Sequence, residues 1–172
     1  MEDGPTATVM SEAVPRRPYR VLVVDDDGTN LMLATEVIRL HGAIPVACQD
    51  AQTALREFSN ARWDIVFMDI RMPGMNGLEA AKAFRDIEAA TGRPRVPIIA
   101  LTAGVLPAER QRCLEHGMDD ILSKPYSVLT FRTMLDHWCS QDAPHAESSA
   151  AGAATQREAP PAHTAVATST YL

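Results

Sequence analysis

Val96 to Leu101 is a near-continuous apolar run of strand length, closed by Thr102. A strand that is apolar at almost every position has no face left for water, so it belongs in a sheet covered by helices on both sides. The remaining chain supplies what such a sheet needs. Short β-prone runs at Arg20 to Val24, Ile44 to Ala47, Trp63 to Met68 and Asp120 to Ser123 alternate with stretches whose apolar residues recur at helical spacing. The first such stretch carries Leu33, Ala34, Val37 and Leu40 and stops at Gly42. The second, with Asp50 as its cap, carries the stripe Ala51, Ala54, Leu55 and Phe58.

The third runs from about Gly77 to Ala90, offers Leu78, Ala81, Phe84 and Ile87 for burial, and is broken by Thr91-Gly92-Arg93-Pro94. Pro107 suits the first turn of a fourth helix that Gly117 closes. The last, Ser127 to about Ser140, directs Val128, Phe131, Leu135 and Trp138 inward. Five strands alternating with five helices through short connections predict an α/β fold with a doubly wound, five-stranded parallel sheet.

Residues 19–140 form the expected domain, close to the usual size for one. Residues 1–18, with three prolines and no periodicity, read as a disordered leader. Residues 141–172, rich in Ala, Ser, Thr and Pro, cannot bury enough surface to offset the entropy of ordering and read as a disordered tail. A net charge of −6 argues against a nucleic-acid partner. No apolar run approaches the roughly 20 residues of a membrane-spanning helix, and Met1 to Arg17 lacks the order of a signal peptide. The cysteines Cys48, Cys113 and Cys139 have no metal-ligand spacing and read as small buried hydrophobes. A cytoplasmic chain without nucleic-acid or membrane partners is the expectation, and Met1 followed by the leader favours a free-standing one.

In a parallel sheet every residue just past a strand lies on one edge, where ligands and chemistry collect. That edge gathers Asp25, Asp26 and Asp27 from the first strand and Asp69 from the third. Thr102 joins from the fourth and Lys124 from the fifth. Each has an ordinary reading by itself, as a helix cap, strand end or surface charge. Together they read as a site. Crowded carboxylates are relieved by a bound cation, and oxygen-only ligands suit Mg²⁺. With a hydroxyl and a fixed ammonium beside them, the set points to metal-assisted phosphoryl chemistry with a carboxylate nucleophile.

The stretches Val21-Leu22-Val23-Val24-Asp25-Asp26, Met68-Asp69-Ile70-Arg71-Met72-Pro73-Gly74-Met75-Asn76-Gly77, Ala100-Leu101-Thr102-Ala103 and Ser123-Lys124-Pro125 carry a family resemblance, in order and spacing. With them the chain resembles the receiver domain of two-component response regulators. The wording of the Met-Pro-Gly loop, with Asn30 after the acidic cluster, looks like receivers attached to hybrid histidine kinases. The resemblance implies a flavodoxin-like fold and a phosphoryl group accepted by Asp69 from the phosphohistidine of a histidine kinase or histidine phosphotransfer protein. It implies Mg²⁺ held by Asp26, Asp69 and the main-chain carbonyl of Arg71, with Asp25 acting through a water. Thr102 would bond a phosphoryl oxygen and Lys124 would pair with the phosphate. Arg71 and Gly104 would flank the phosphoryl group. Such a domain is no enzyme beyond its own phosphorylation and dephosphorylation, and with no output domain it would signal by protein contact to an unknown downstream protein. One position departs from the family, which has an aromatic residue three places before the Lys where this chain has Ile121.

Val23-Val24-Asp25-Asp26-Asp27-Gly28-Thr29 also fits the signature of haloacid-dehalogenase-like phosphatases, with Asp25 as nucleophile and Asp27 as acid/base. That alternative lacks the later acidic motif downstream of the Lys and leaves Asp69 without a role. A pseudo-receiver that only binds partners would not need Asp26, Asp69, Thr102 and Lys124 all at once.

Overall fold

The computed structural model describes residues 17–104 and 106–139. Residues 1–16 of the expected leader and the whole expected tail, 141–172, lie outside the described residues, as does Ser140. Strands and helices alternate without exception: β1 (Arg20–Val24), α1 (Gly28–Leu40), β2 (Ile44–Cys48), α2 (Ala51–Asn60), β3 (Ile65–Asp69), α3 (Gly77–Thr91), β4 (Ile98–Thr102), α4 (Pro107–Glu115), β5 (Asp120–Ser123) and α5 (Val128–Cys139). The five strands form one parallel sheet in the order β2-β1-β3-β4-β5.

Successive strand side chains point to opposite faces, and each face has its own core. Val21 and Val23 of β1 pack with Leu31, Ala34, Val37 and Ile38 of α1 and Phe131 and Leu135 of α5. Leu22 and Val24 join Ala54 and Phe58 of α2, Leu78 and Phe84 of α3, and Cys113 of α4. A ring stack fills each layer: Phe67 on Phe131 at 4.3 Å on the first face, Phe58 on Phe84 at 4.1 Å on the second. All five residues of β4 are buried, as its apolar run requires.

Two helices bury a different stripe from the expected one. In α1, Leu33 and Leu40 are exposed and the core takes Leu31, Ala34, Val37 and Ile38. At 3.6 residues per turn, Leu33 and Leu40 lie roughly half a turn around the helix from Leu31, on its solvent side. In α5 the buried set is Phe131, Leu135 and Cys139, which leaves Val128, the first residue of the helix, half exposed. Trp138 is partly buried against the core as expected.

Strand β3 begins two residues later than the apolar run suggests. Trp63 instead donates its indole N–H to the Glu57 carbonyl at the end of α2, and Asp64 accepts the Arg20 N–H. At the amino end of the sheet an ionic knot joins α3, β4 and the α4–β5 turn. Arg85 reaches Glu88 at 2.8 Å, Asp119 at 2.7 Å and the carbonyls of Val96 and Gly117. Asp119 also takes the Ile98 N–H and a second arginine, Arg95. The opposite edge is left to the chemistry.

Candidate functional site

The strand order reverses between β1 and β3, and in an open parallel sheet this reversal opens a crevice at the carboxyl ends. Val24 pairs with Met68 there, so Asp25, just past β1, and Asp69, the last residue of β3, stand side by side. Asp26 completes a trio. One carboxylate oxygen from each of Asp25, Asp26 and Asp69 lies within 4.8 Å of the others. Asp25 is fully buried, Asp69 nearly so, and Asp26 is exposed.

Buried carboxylates are stable only with partners. Asp25 Oδ1 accepts the Asp27 N–H at 3.0 Å and the Asn30 amide at 3.2 Å. Asp69 Oδ1 accepts the Arg71 N–H at 3.2 Å. The remaining oxygens share one cation: Lys124 Nζ lies 2.6 Å from Asp25 Oδ2 and 2.8 Å from Asp69 Oδ2. The Lys124 N–H donates to the Thr102 carbonyl at 2.6 Å, which anchors its backbone beside β4.

The electrostatics follow from burial and pairing. Burial pushes the Asp69 carboxyl above the ordinary range; the Lys124 and Arg71 hydrogen bonds pull it back, and neighbouring Asp25 adds to the rise. For Lys124, burial works against the charged form, but its bonds to Asp25 and Asp69 outweigh that and hold the ammonium above its usual range. Tyr126, buried beside them with its hydroxyl 3.5 Å from the Asn30 carbonyl, is raised by burial and then by the same carboxylates.

Asp27 does not join the trio. Its carboxylate caps α1 by accepting the Thr29 and Asn30 N–H groups at 2.7 and 3.3 Å. Those backbone bonds hold its carboxyl low, so it is a helix cap and poorly suited to the proton-donating role a phosphatase would ask of it.

Thr102 is on the expected edge and buried, but its hydroxyl is engaged on the α4 side. It lies 2.7 Å from Glu109 Oε1 and 3.1 Å from the Gly104 carbonyl, and its oxygen accepts the Gly104 N–H at 3.3 Å. Ile121, opposite Ala100 in the sheet, is a partly buried aliphatic packed against the core on the α2–α3 side.

The loop after β3 explains two glycines. Gly74, with φ 75°, takes a left-handed turn that few other residues adopt readily. Gly77 begins α3 so close to β3 that a Cβ would collide with the main-chain carbonyl of Asp69. Its N–H donates to the Ile70 carbonyl at 2.9 Å, and Asn76 and Glu79 form a reciprocal capping box. Asn76-Gly77 signals a turn in the sequence, but only the fold shows the close approach. Glu109 and Tyr126 carried no expectation. The one available signal for Glu109 was an acidic residue in the first turn of the helix after Thr102.

Three carboxylates, two of them buried, make an oxygen-only donor set whose crowding a hard divalent cation relieves. The residues fit Mg²⁺.

Comparison with known proteins agrees with this geometry. The family model described as the response regulator receiver domain matches residues 21–136. The chain is 38% identical over 122 residues to the sensor protein GacS of Pseudomonas syringae pv. syringae, covering 71% of this chain and only 14% of GacS. Among solved structures it is similar to the receiver domain of sensor histidine kinase PA1611 from Pseudomonas aeruginosa, which has a magnesium ion coordinated in its active-site cleft. That match has 33% identity and a TM-score of 0.63, covering 70% of this chain and 97% of that one. A chain of the co-crystal of the Saccharomyces cerevisiae phosphotransfer protein Ypd1 with the receiver domain of Ssk1 matches with 28% identity and a TM-score of 0.67, covering 70% and 88%. Nothing in these matches supports the phosphatase alternative.

Proposed function

We propose, from the premise that this chain belongs to the response regulator receiver family, that Asp69 is its phosphoacceptor in a His-to-Asp relay. Receiver domains are signalling modules, not conventional enzymes. The observation that carries the assignment is the Lys124 ammonium held between Asp25 and Asp69 inside the carboxylate trio. It provides a positive charge beside which new negative charge can be accommodated, and Asp69, less deeply buried than Asp25, is the carboxylate of the pair that a donor can reach.

In the proposed step, an Asp69 carboxylate oxygen attacks the phosphorus of a phosphohistidine. The P–N bond breaks with its electrons staying on nitrogen, and the donor imidazole, protonated at its other nitrogen, leaves neutral. An acyl phosphate remains on Asp69. Asp25, Asp26, Asp69 and the main-chain carbonyl of Arg71 would hold Mg²⁺, whose charge offsets that of the phosphoryl oxygens. Lys124 turns from the two carboxylates to the phosphoryl group, and Asn30 keeps Asp25 oriented meanwhile.

The likeness to sensor kinases and to the receiver in the Ypd1–Ssk1 co-crystal supports a histidine kinase or phosphotransfer protein as donor. Output runs by contact with a further protein. From the receiver family we infer a cytoplasmic place of work; separately, no described helix is long and apolar enough to cross a membrane.

The test is labelling with acetyl phosphate and Mg²⁺, followed by borohydride reduction and peptide mapping. The acyl phosphate should map to position 69 and vanish in Asp69→Asn. Label that persists in Asp69→Asn, or that maps to Asp25, defeats the assignment.

A further inference from the structure

The Thr102 hydroxyl has one proton and two acceptors within reach. Glu109 Oε1, at 2.7 Å, is closer than the Gly104 carbonyl at 3.1 Å, and hydrogen bonds to ionised acceptors are roughly twice as strong as neutral ones. The proton therefore goes to Glu109, while the Gly104 N–H satisfies the hydroxyl oxygen from the other side. Glu109 stands in the first turn of α4, a helix with no side-chain cap and with Cys113 as its buried residue. Among the described residues a second polar tie from this helix to the sheet is looser, Arg110 to Asp120 at 3.7 Å.

We propose that Glu109 is a positioning residue that withholds the Thr102 hydroxyl from the phosphoacceptor, so that phosphoryl transfer to Asp69 frees the first turn of α4. The inference rests on the reading of Asp69 as phosphoacceptor. A phosphoryl group brings about −1.5 to −2 of charge and three acceptor oxygens. One proton cannot serve both Glu109 and the phosphoryl group, so the two bonds exclude each other. That makes the Thr102–Glu109 pair a two-position element, which is what a switch requires. The chain's own departure at Ile121 gives the pair its importance. An aliphatic side chain packed in the core has no polar group to follow Thr102, so the exchange of hydroxyl partners links the site directly to α4.

The test uses the full chain with Mg²⁺ and beryllofluoride, a phosphoryl mimic. Glu109→Ala should tighten apparent beryllofluoride affinity about fivefold or more, since a bond to a charged acceptor no longer competes. Glu109→Gln, which keeps a weaker acceptor, should fall between. In a Thr102→Ala background the Glu109 substitution should have no effect, an outcome that a merely structural role for Glu109 would not produce. Equal tightening in both backgrounds, or none in either, overturns the proposal. A second readout needs no phosphoryl mimic: amide hydrogen exchange at Gly104 and the first turn of α4 should speed up in Glu109→Ala, and unchanged exchange overturns the latch. If the wild type binds no beryllofluoride and takes no label on Asp69, the phosphoacceptor reading fails, while the exchange experiment still decides whether Glu109 holds Thr102.

Discussion

Replacing Lys124 by Met keeps most of the side-chain volume and removes the one ammonium that faces two buried oxygens. Asp25 Oδ2 and Asp69 Oδ2, now 2.6 and 2.8 Å from Nζ, are left beside Asp26 with no opposing charge. Breaking a fully buried ion pair costs about 3–5 kcal/mol. The Lys124 side chain is 19% exposed, so water screens part of the loss and about 2 kcal/mol remains. For a domain of this size that lowers Tm by about 8 °C. On the proposed reading Mg²⁺ would act on the same oxygens: at ten times its dissociation constant a ligand adds about 1.4 kcal/mol.

The assay is thermal unfolding followed by circular dichroism, in EDTA and in millimolar Mg²⁺. In EDTA the variant should melt well below wild type, and in Mg²⁺ the gap should narrow, because the wild-type cation has to displace a lysine that the variant lacks. The gap should also close in strong alkali. The folded Lys124 is held above its ordinary range, so its contribution is present below the unfolded lysine value of about 10.4 and is lost as pH rises through the folded one. An equal gap with and without Mg²⁺, or no gap in EDTA, would refute the view that Lys124 stands in for a cation among these carboxylates.

Asp69→Asn should melt above wild type near pH 7 in EDTA. The folded carboxyl lies above its ordinary range, so the native state keeps its proton longer than the unfolded chain. The stability this confers is complete below about pH 4 and is lost as pH rises through the folded value. The advantage of Asn should therefore vanish in acid, and a gap that does not change with pH would count against the burial argument. Gly77→Ala should cost about 2 kcal/mol or more in denaturant unfolding, because its methyl group meets the Asp69 carbonyl and backbone cannot yield as a side chain can. It should also disturb phosphorylation; a variant with wild-type stability would mean that α3 starts elsewhere.

Much of the site was legible because a parallel sheet turns sequence position into place. Whatever follows a strand arrives at one edge, so Asp25, Asp26, Asp69, Thr102 and Lys124 could be grouped before any geometry was known. The apolar run in β4 was equally explicit about burial on both faces. Helix α1 shows where such reading fails. Leu33 and Leu40 are more apolar than Ala34, but which side faces the sheet is decided by angle around the axis, and the smaller residue is inside. Glu109 was harder still. Its role depends on where a flexible side chain ends in space relative to a hydroxyl on another element, which no periodicity records. Asp27 shows the converse: a good local match to the phosphatase signature, weighed above only as the alternative, is a helix cap in the structure.

The ionic knot around Arg85 gives α4 a mechanical character. The helix leads directly into the turn whose Gly117 carbonyl Arg85 grips, and Cys113, its buried anchor, lies in the same half. The opposite end, at Pro107 to Glu109, is tied to the sheet through the Thr102 hydroxyl. The helix is thus pinned at one end and tethered at the other, in effect a short lever with its fulcrum at the base of the domain. Nine residues span about 13 Å, so a small tilt about the pinned end displaces the free end by about 1–2 Å, the scale of helix shifts that protein interfaces read. A change of partner for one hydroxyl could then be felt by a protein that touches α4 and never approaches the carboxylates.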